Sequence, residues 1–183
     1  MTGSLRRRPP PVALRRARMS DLAALIALER ERFKTDQLSR RSLRRFIASP
    51  QATLIVADGA SGVVGCILVL YPPRSKLARL YSYALAKKFE GQGIGPRLLA
   101  AAEDAARRRG REAMRLEVHA HNTRAIARYE KSGYRMFGRH DDYYDDHGAA
   151  LRFEKPLTAA PSQPARRQRN SRDAVLPRRA NRA

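Results

Sequence analysis

The chain has 183 residues, 43% of them hydrophobic, a single cysteine and a formal net charge of +21. This length suits one domain of about 100–200 residues. No apolar run approaches the roughly 18–20 residues that a membrane span needs, and the basic first eleven residues lead into no apolar stretch, so no secretion signal is predicted. Because Cys66 is the single cysteine, an intramolecular disulfide and a zinc site with several thiolate ligands are excluded. We therefore expect a soluble, cytoplasmic protein with no membrane partner.

The positive charge is concentrated near the two ends. Residues 1–18 and residues 158–183 each carry a net charge of +6, so less than half of the excess lies between them. Such ends predict weak, nonspecific polyanion binding rather than a folded nucleic-acid groove. Residues 1–11 and 158–183 also have too few large apolar residues to offset the entropy of ordering them. The sequence thus predicts a disordered basic N-terminal arm at 1–11, a folded domain at 12–157 and a disordered Arg-rich tail at 158–183.

The first half of this domain shows strand and helix patterns in turn. Residues 12–17 alternate as a strand does. Ser20 stands at the N-cap position of a helix whose apolar residues have helical spacing; these are Leu22, Leu25, Ile26 and Phe33. A second short helix, around Leu43, Phe46 and Ile47, is expected to end near Pro50. Two β-rich runs at 53–57 and 63–71 predict a hairpin with a five-residue loop.

The second half alternates strands and helices. The predicted elements are a strand at 78–85, a helix at 96–109, a strand at 114–118, a helix at 122–132 and strands at 134–140 and 151–155. Pro96 suits the first turn of its helix and Gly110 its end. Asn122 is the predicted cap of the last helix, and Gly133 its terminator. The order β-α-α-β-β-β-α-β-α-β-β predicts a mixed α/β fold.

The clearest chemical signal is the segment Glu90-Gly-Gln-Gly-Ile-Gly95, between a strand and a helix. Glycines let the backbone turn tightly and approach a ligand closely. The N–H groups at the start of the following helix form a ready phosphate site. Taken alone, the segment also fits an ordinary glycine-rich loop.

Two further residues carry candidate chemistry. Glu117 alternates with the apolar Leu116 and Val118 on a strand, where a carboxylate can serve as a general base; the alternative is a solvated Glu paired with Arg115 or Arg79. Tyr129 lies on one face of the last helix, where it is either a core aromatic or an acid. His119 and His121 have no third ligand at suitable spacing, so no metal site is predicted.

Together these motifs resemble the GNAT acyl-CoA N-acyltransferases, most closely the RimI-like alanine acetyltransferases that act on protein N-termini. The matching segments are Tyr83-Ala-Leu, Glu90 to Gly95, Leu116-Glu-Val, Asn122 and Ala127-Arg-Tyr-Glu-Lys-Ser-Gly-Tyr134. The resemblance implies a central mixed twisted sheet flanked by helices, with a V-shaped splay between the fourth and fifth strands that takes acetyl-CoA. Glu90 stands where the family usually has Gln or Arg, and the chain lacks the family's Pro-Trp-Ser stretch.

The resemblance also implies roles for individual residues. Glu117 would be the general base and Tyr129 the acid that protonates the departing thiolate. The implied acetyl-CoA contacts are Tyr83, Ala84, Leu85, Gly91, Gln92, Gly93, Ile94, Gly95, Pro96 and Asn122. No metal is implied.

The segment Asp141-Asp-Tyr-Tyr-Asp-Asp146 has two interpretations. It is either a solvated hairpin loop or a group of carboxylates that attracts a cationic amine. Tyr143 and Tyr144 resemble a tyrosine pair that RimI-like enzymes place near the acceptor peptide, so Asp141, Asp142, Tyr143 and Tyr144 are the candidate substrate residues. The predicted function is acetyl transfer to a protein or peptide amine, N-terminal or Lys. The alternatives are a small-molecule or RNA-linked amine acceptor and a non-catalytic acyl-CoA-binding module.

Overall fold

A computed structural model describes residues 12–33 and 36–157. The strands are β1 (Ala13–Arg16), β2 (Ala52–Gly59), β3 (Gly62–Leu70), β4 (Leu77–Leu85), β5 (Ala113–His119), β6 (Arg135–His140) and β7 (Ala150–Pro156). The helices are α1 (Leu22–Arg32), α2 (Arg40–Ala48), α3 (Ile94–Arg108) and α4 (Thr123–Lys131), and short 3₁₀ turns occupy Met19–Asp21 and Lys87–Phe89. This order confirms the predicted succession of strands and helices.

All seven strands form one mixed sheet in the order β1-β2-β3-β4-β5-β7-β6. Every neighbouring pair is antiparallel except β4 and β5, which are parallel and are joined through α3. One core cluster packs α3 and α4 against one face of the sheet, and a second packs α1 and α2 against the other. Strands β2 and β3 are covered on both faces, which explains their nearly continuous apolar sequences.

The start of α1 differs from the prediction. Ser20 is not its N-cap, because residues 19–21 form a 3₁₀ turn and Asp21 precedes the first α-helical residue. The Asp21 carboxylate accepts a hydrogen bond from the Arg18 N–H at 2.7 Å and is bound by the Arg15 guanidinium at 2.8 Å. This ionic partner from β1 stabilises the turn and moves the start of the helix beyond Ser20.

Two more boundaries were wrong by a few residues. The predicted five-residue hairpin loop is a two-residue turn, because Gly59 pairs with Gly62 and the pairing continues past a bulge at Val64 of β3. Helix α3 begins at Ile94 rather than Pro96, since Gly93 takes the N-cap position with a φ of 75°. Side chains other than glycine rarely adopt that conformation.

Three further expectations concern the whole chain. The arms at 1–11 and 158–183 lie outside the described residues, so their predicted disorder and polyanion binding stay predictions. Within the described part, no helix is both long enough and apolar enough to cross a membrane. Cys66 is buried in β3 as a core residue, as expected, and burial raises the pKa of its thiol.

Candidate active site

The central feature of the site is a gap between β4 and β5. These strands pair only from Leu77–Arg79 to Ala113–Arg115 and separate beyond that point. The V-shaped splay predicted between the fourth and fifth strands is therefore present. A bulge at Tyr81, where Leu68 faces Ser82 and Val69 faces Leu80, bends β4 just where the gap opens.

The backbone of β4 leaves polar groups facing this gap. The Ala86 N–H donates to the Val64 carbonyl of β3 at 2.9 Å, so Ala84, two residues earlier, also directs its backbone groups to β3. Because successive residues of a strand point their N–H and C=O groups to opposite sides, those of Tyr83 and Leu85 point away from β3. They lie on the side from which β5 has diverged, in position to bind an extended amide ligand.

The glycine-rich loop lies at the end of the gap. Gly91 and Gly93 have φ angles of 76° and 75°, and no atom lies within 4 Å of where a Cβ would be at either position. Their conformation, rather than crowding, requires glycine. Gly95 is different, since a Cβ there would overlap the Tyr83 hydroxyl.

The loop ends at the N-terminus of α3, where the first N–H groups have no intrahelical partner. Ile94 begins the helix, and Pro96, at its third position, has no N–H to offer. The Gln92 side chain donates to the Lys88 carbonyl at 2.9 Å and closes the loop from within. On the other side of the gap, Asn122 caps α4 by accepting the Ala125 N–H at 3.1 Å.

Glu117 is 8% exposed and is held by an arginine. The Arg79 Nε and Nη2 atoms both lie 3.0 Å from the Glu117 Oε2 atom. The two interpretations of Glu117 were a general base and a solvated carboxylate paired with an arginine. The arginine partner is present, but the carboxylate is buried rather than solvated. Burial opposes the charged form of Arg79, yet Glu117 and Tyr143 outweigh it and the pKa of Arg79 is raised.

The same arginine reaches the loop between β6 and β7. Its Nη2 atom donates to the Tyr143 hydroxyl at 2.8 Å. Burial and the charge of Glu117 raise the pKa of Tyr143, although Arg79 acts in the opposite direction. Arg79 is the last β4 residue paired with β5, so this Glu117–Arg79–Tyr143 group lies where the splay begins.

The other predicted acceptor residues have partners of their own. Asp141 pairs with Arg139 at 2.7 Å and Asp142 with His147 at 2.5 Å, and both carboxylates are largely exposed. Tyr144 is buried against the His119 ring, with 4.8 Å between the ring centroids. Of the four candidates, Tyr143 bonds to Arg79, and Tyr144 packs edge-on against Tyr143 with 5.3 Å between the ring centroids.

Tyr129 is 0% exposed and packs edge-on against Tyr134, with 5.6 Å between the ring centroids. It belongs to the same core cluster as Leu116 and Val118 of β5. Because Glu117 alternates with these two residues, it projects from the opposite face of the strand. The two candidate catalytic side chains therefore flank β5, one on each face of the sheet.

Sequence reasoning missed another buried carboxylate close to β4. Glu29 of α1 is 2% exposed and accepts the Leu38 N–H at 2.9 Å, and the Ser82 hydroxyl lies 3.5 Å from its other oxygen. The sequence did contain a signal, because Glu29 falls at i+4 from the buried Leu25, on the apolar stripe of the helix.

The residue that departs from the family pattern is also ion-paired. Glu90 lies 3.0 Å from the Arg32 Nη2 atom and 2.5 Å from the Arg124 Nη1 atom. Its charge next to the glycine-rich loop is thus compensated from α1 and from α4.

A splayed pair of parallel strands that ends at a glycine-rich helix N-terminus defines this fold as that of an acyl-CoA N-acyltransferase. The profile of the Acetyltransferase (GNAT) family matches residues 20–134, and the chain belongs to this family.

The names of the curated relatives indicate different substrates. N-alpha-acetyltransferase 30 of Saccharomyces cerevisiae is 31% identical over 117 residues, which are 60% of this chain and 66% of that protein. The IAA acetyltransferase of Azospirillum brasilense is 32% identical over 111 residues, which are 61% of this chain and 72% of that protein. The chain thus spans just under two thirds of the yeast relative's length.

Solved structures share the fold at lower identity. The ribosomal-protein-S18-alanine N-acetyltransferase of Escherichia coli superposes with a TM-score of 0.73 at 22% identity, covering 85% of this chain and 99% of that one. The PaiA N-acetyltransferase of Thermoplasma acidophilum, in complex with coenzyme A, gives a TM-score of 0.66 at 21% identity, covering 78% and 98%. At these identities the likeness establishes the shared fold.

Proposed function

We propose that this protein is an acetyl-CoA-dependent N-acetyltransferase that acts on a primary amine of a protein or peptide. The observation that carries the proposal is the buried Glu117 carboxylate, held by Arg79 at the point where β4 and β5 part. The relatives support the peptide class, since the yeast and Escherichia coli proteins are named as α-amino and alanine acetyltransferases.

The donor fits the backbone of the gap. When bound, acetyl-CoA supplies the thioester that is attacked. The N–H and C=O groups of Tyr83 and Leu85 would hold its amide arm in an extended conformation, with Ala84 between them. The pyrophosphate would lie on the N–H groups of residues 92–95, where the α3 dipole favours negative charge. Asn122 holds the start of α4 on the opposite rim.

The reaction needs a neutral amine. In the proposed step the amine nitrogen forms a bond to the acyl carbon, the carbon–sulfur bond breaks, and the nitrogen loses a proton. Glu117 takes that proton, directly or through one water. Because Arg79 contacts Oε2, the proton would go to Oε1. An α-amine, with a pKa of about 7.7–8.0, gives up its proton more readily than lysine at about 10.4, which favours an N-terminal acceptor.

The leaving side of the reaction needs a proton and a hydrogen-bond donor. Tyr129 would protonate the departing thiolate from the opposite face of the sheet. A backbone N–H of β4 that faces the gap would stabilise the oxyanion. Cys66 takes no part, because it is buried on the far side of β4 with a raised thiol pKa.

An acceptor screen that measures thiol release tests the proposal. Peptides with a free α-amine should be turned over, and the same peptides with a blocked N-terminus should not. The relative named as an IAA acetyltransferase favours the alternative of a small-molecule acceptor; turnover of small amines alone would establish that alternative. Binding of CoA without turnover of any acceptor would instead support a non-catalytic module.

A further inference from the structure

One ion-pair bridge connects the two rims of the gap. Glu90 follows β4 and precedes the glycine-rich loop, whereas Arg124 lies in the first turn of α4, which follows β5. The Glu90 Oε2 atom is 2.5 Å from the Arg124 Nη1 atom, and Oε1 is 3.0 Å from the Arg32 Nη2 atom of α1. Since β4 and β5 diverge after Arg79, this bridge spans the open end of the splay.

The exposures of the three side chains differ. Glu90 is 18% exposed, as is Arg32, whereas the Arg124 side chain is 68% exposed. Among the described residues, Glu90 is the one carboxylate in salt-bridge contact with either arginine. If that carboxylate turns away, both guanidinium groups lose this partner at the residue that directly precedes the glycine-rich loop.

The chemistry of a phosphate ligand conflicts with Glu90 and agrees with its partners. A carboxylate close to a pyrophosphate is repelled by it. Guanidinium groups, by contrast, bind phosphate oxygens through paired, charge-assisted hydrogen bonds. The same three residues therefore allow two arrangements. In one, both arginines pair with Glu90; in the other, they bind phosphate groups and Glu90 turns away.

We propose that Arg32 and Arg124 bind phosphate groups of coenzyme A, and that Glu90 occupies these arginines until the phosphates displace it. This inference rests on the proposed function, because it assigns residues to the donor site. It makes Glu90 a competitor of the donor rather than a ligand for it.

Calorimetry with the full chain tests the competition, using free CoA as the probe. Glu90→Gln removes the competing charge and keeps the side-chain shape, so CoA should bind about fivefold more tightly. Arg124→Met removes a proposed phosphate partner whose side chain is 68% exposed, so CoA should bind about fivefold more weakly.

Matched variants separate this local effect from the high net charge. Glu112→Gln changes the charge as Glu90→Gln does, but Glu112 lies just before β5, at the closed end of the splay. Arg108→Met matches Arg124→Met, but Arg108 is the last residue of α3, far from its N-terminus. Both controls should bind CoA with an affinity close to that of the wild type.

Dephospho-CoA, which lacks the 3′-phosphate, identifies the phosphate group. If Arg124→Met weakens CoA but not dephospho-CoA, Arg124 binds the 3′-phosphate; if both weaken equally, it binds the pyrophosphate. Either result supports the proposal. Unchanged or weaker CoA binding by Glu90→Gln would overturn it while leaving the proposed function intact. A wild-type protein that fails to bind CoA would overturn both.

Discussion

The two sides of the splay are built in different ways. On the side that we propose binds the donor, called the donor side below, one continuous segment, Gly91 to Gly95, presents backbone N–H groups at the start of α3. On the side that we propose binds the acceptor, called the acceptor side below, Arg79 joins Glu117 and Tyr143, which lie 38 and 64 positions away in the sequence. A backbone site tolerates most side-chain changes and is sensitive to conformation, whereas a side-chain site depends on a few functional groups. Substitutions should therefore separate donor affinity from turnover.

The largest effect is expected from Glu117→Gln. Loss of the general base should lower kcat about 10²–10⁴-fold, since this is what a positioned base contributes, while the Kd for CoA stays unchanged. Thiol release and calorimetry measure the two quantities. Glu154→Gln is the control, because Glu154 lies on the neighbouring β7 and pairs with Arg115 instead of Arg79. Near-wild-type turnover of Glu117→Gln would remove the base role.

Tyr129→Phe removes one hydroxyl and keeps the ring that packs against Tyr134. We expect kcat to fall about 10²-fold, the lower end of the range for a general acid, with little change in CoA affinity. Tyr134→Phe is the matched control, since Tyr134 is a buried aromatic of the same cluster. Equal losses in the two variants, measured by the same thiol assay, would show that packing rather than proton donation is responsible.

Gly93→Val tests the backbone of the donor side. A left-handed conformation costs a residue with a Cβ about 1–2 kcal/mol, so the loop should relax and CoA binding should weaken about tenfold by calorimetry. Gly110→Val introduces similar strain at a φ of 67°, at the other end of α3. It should lower the Tm without changing CoA affinity; equal loss of affinity in both variants would indicate a general loss of helix stability.

Arg79→Met tests whether the acceptor side works as one group. Without the guanidinium, Glu117 and Tyr143 lose their common partner, so the acceptor KM should rise and kcat should fall, together by about tenfold in kcat/KM. Arg115→Met is the control, because Arg115 is the register partner of Arg79 but pairs with Glu154. If Arg79→Met leaves both constants unchanged, the network plays no part in acceptor binding.

Asp21→Asn belongs to neither side and should affect stability alone. The Arg15 hydrogen bond, against the opposing effect of burial, lowers the pKa of Asp21 below the usual value for an aspartate. A carboxylate whose pKa is lower in the folded state than in the unfolded state stabilises the protein fully at pH values above the unfolded-state pKa. This stabilisation is lost as the pH falls through the folded-state pKa. The free energy of unfolding should fall by about 1 kcal/mol at neutral pH. In denaturant titrations between about pH 6 and pH 3, the difference in unfolding free energy between variant and wild type should become smaller as the pH falls. A difference that stays constant would contradict the assignment of the lowered pKa to Asp21.

Local signals explain why the element order was predictable. Gly93, Gly110 and Gly133 have positive φ angles at helix boundaries, and Asn122 caps α4 through its own side chain. Each of these effects acts within a few residues, so the sequence alone contains the information. Where a partner on another element intervened, as Arg15 of β1 does at Asp21, the predicted boundary at Ser20 was wrong.

Residue types and spacing by themselves determined the succession of strands and helices, the glycine-rich loop and the likeness to the acyltransferase family. Only the tertiary structure decided that Arg79 is the partner of Glu117, that Glu90 is bridged by Arg32 and Arg124, and which carboxylates are buried. The physical reason is that β4 and β5 are separated by a whole helix in the chain and meet as parallel neighbours only in the folded sheet. Contacts made across that distance leave no periodic trace in the sequence.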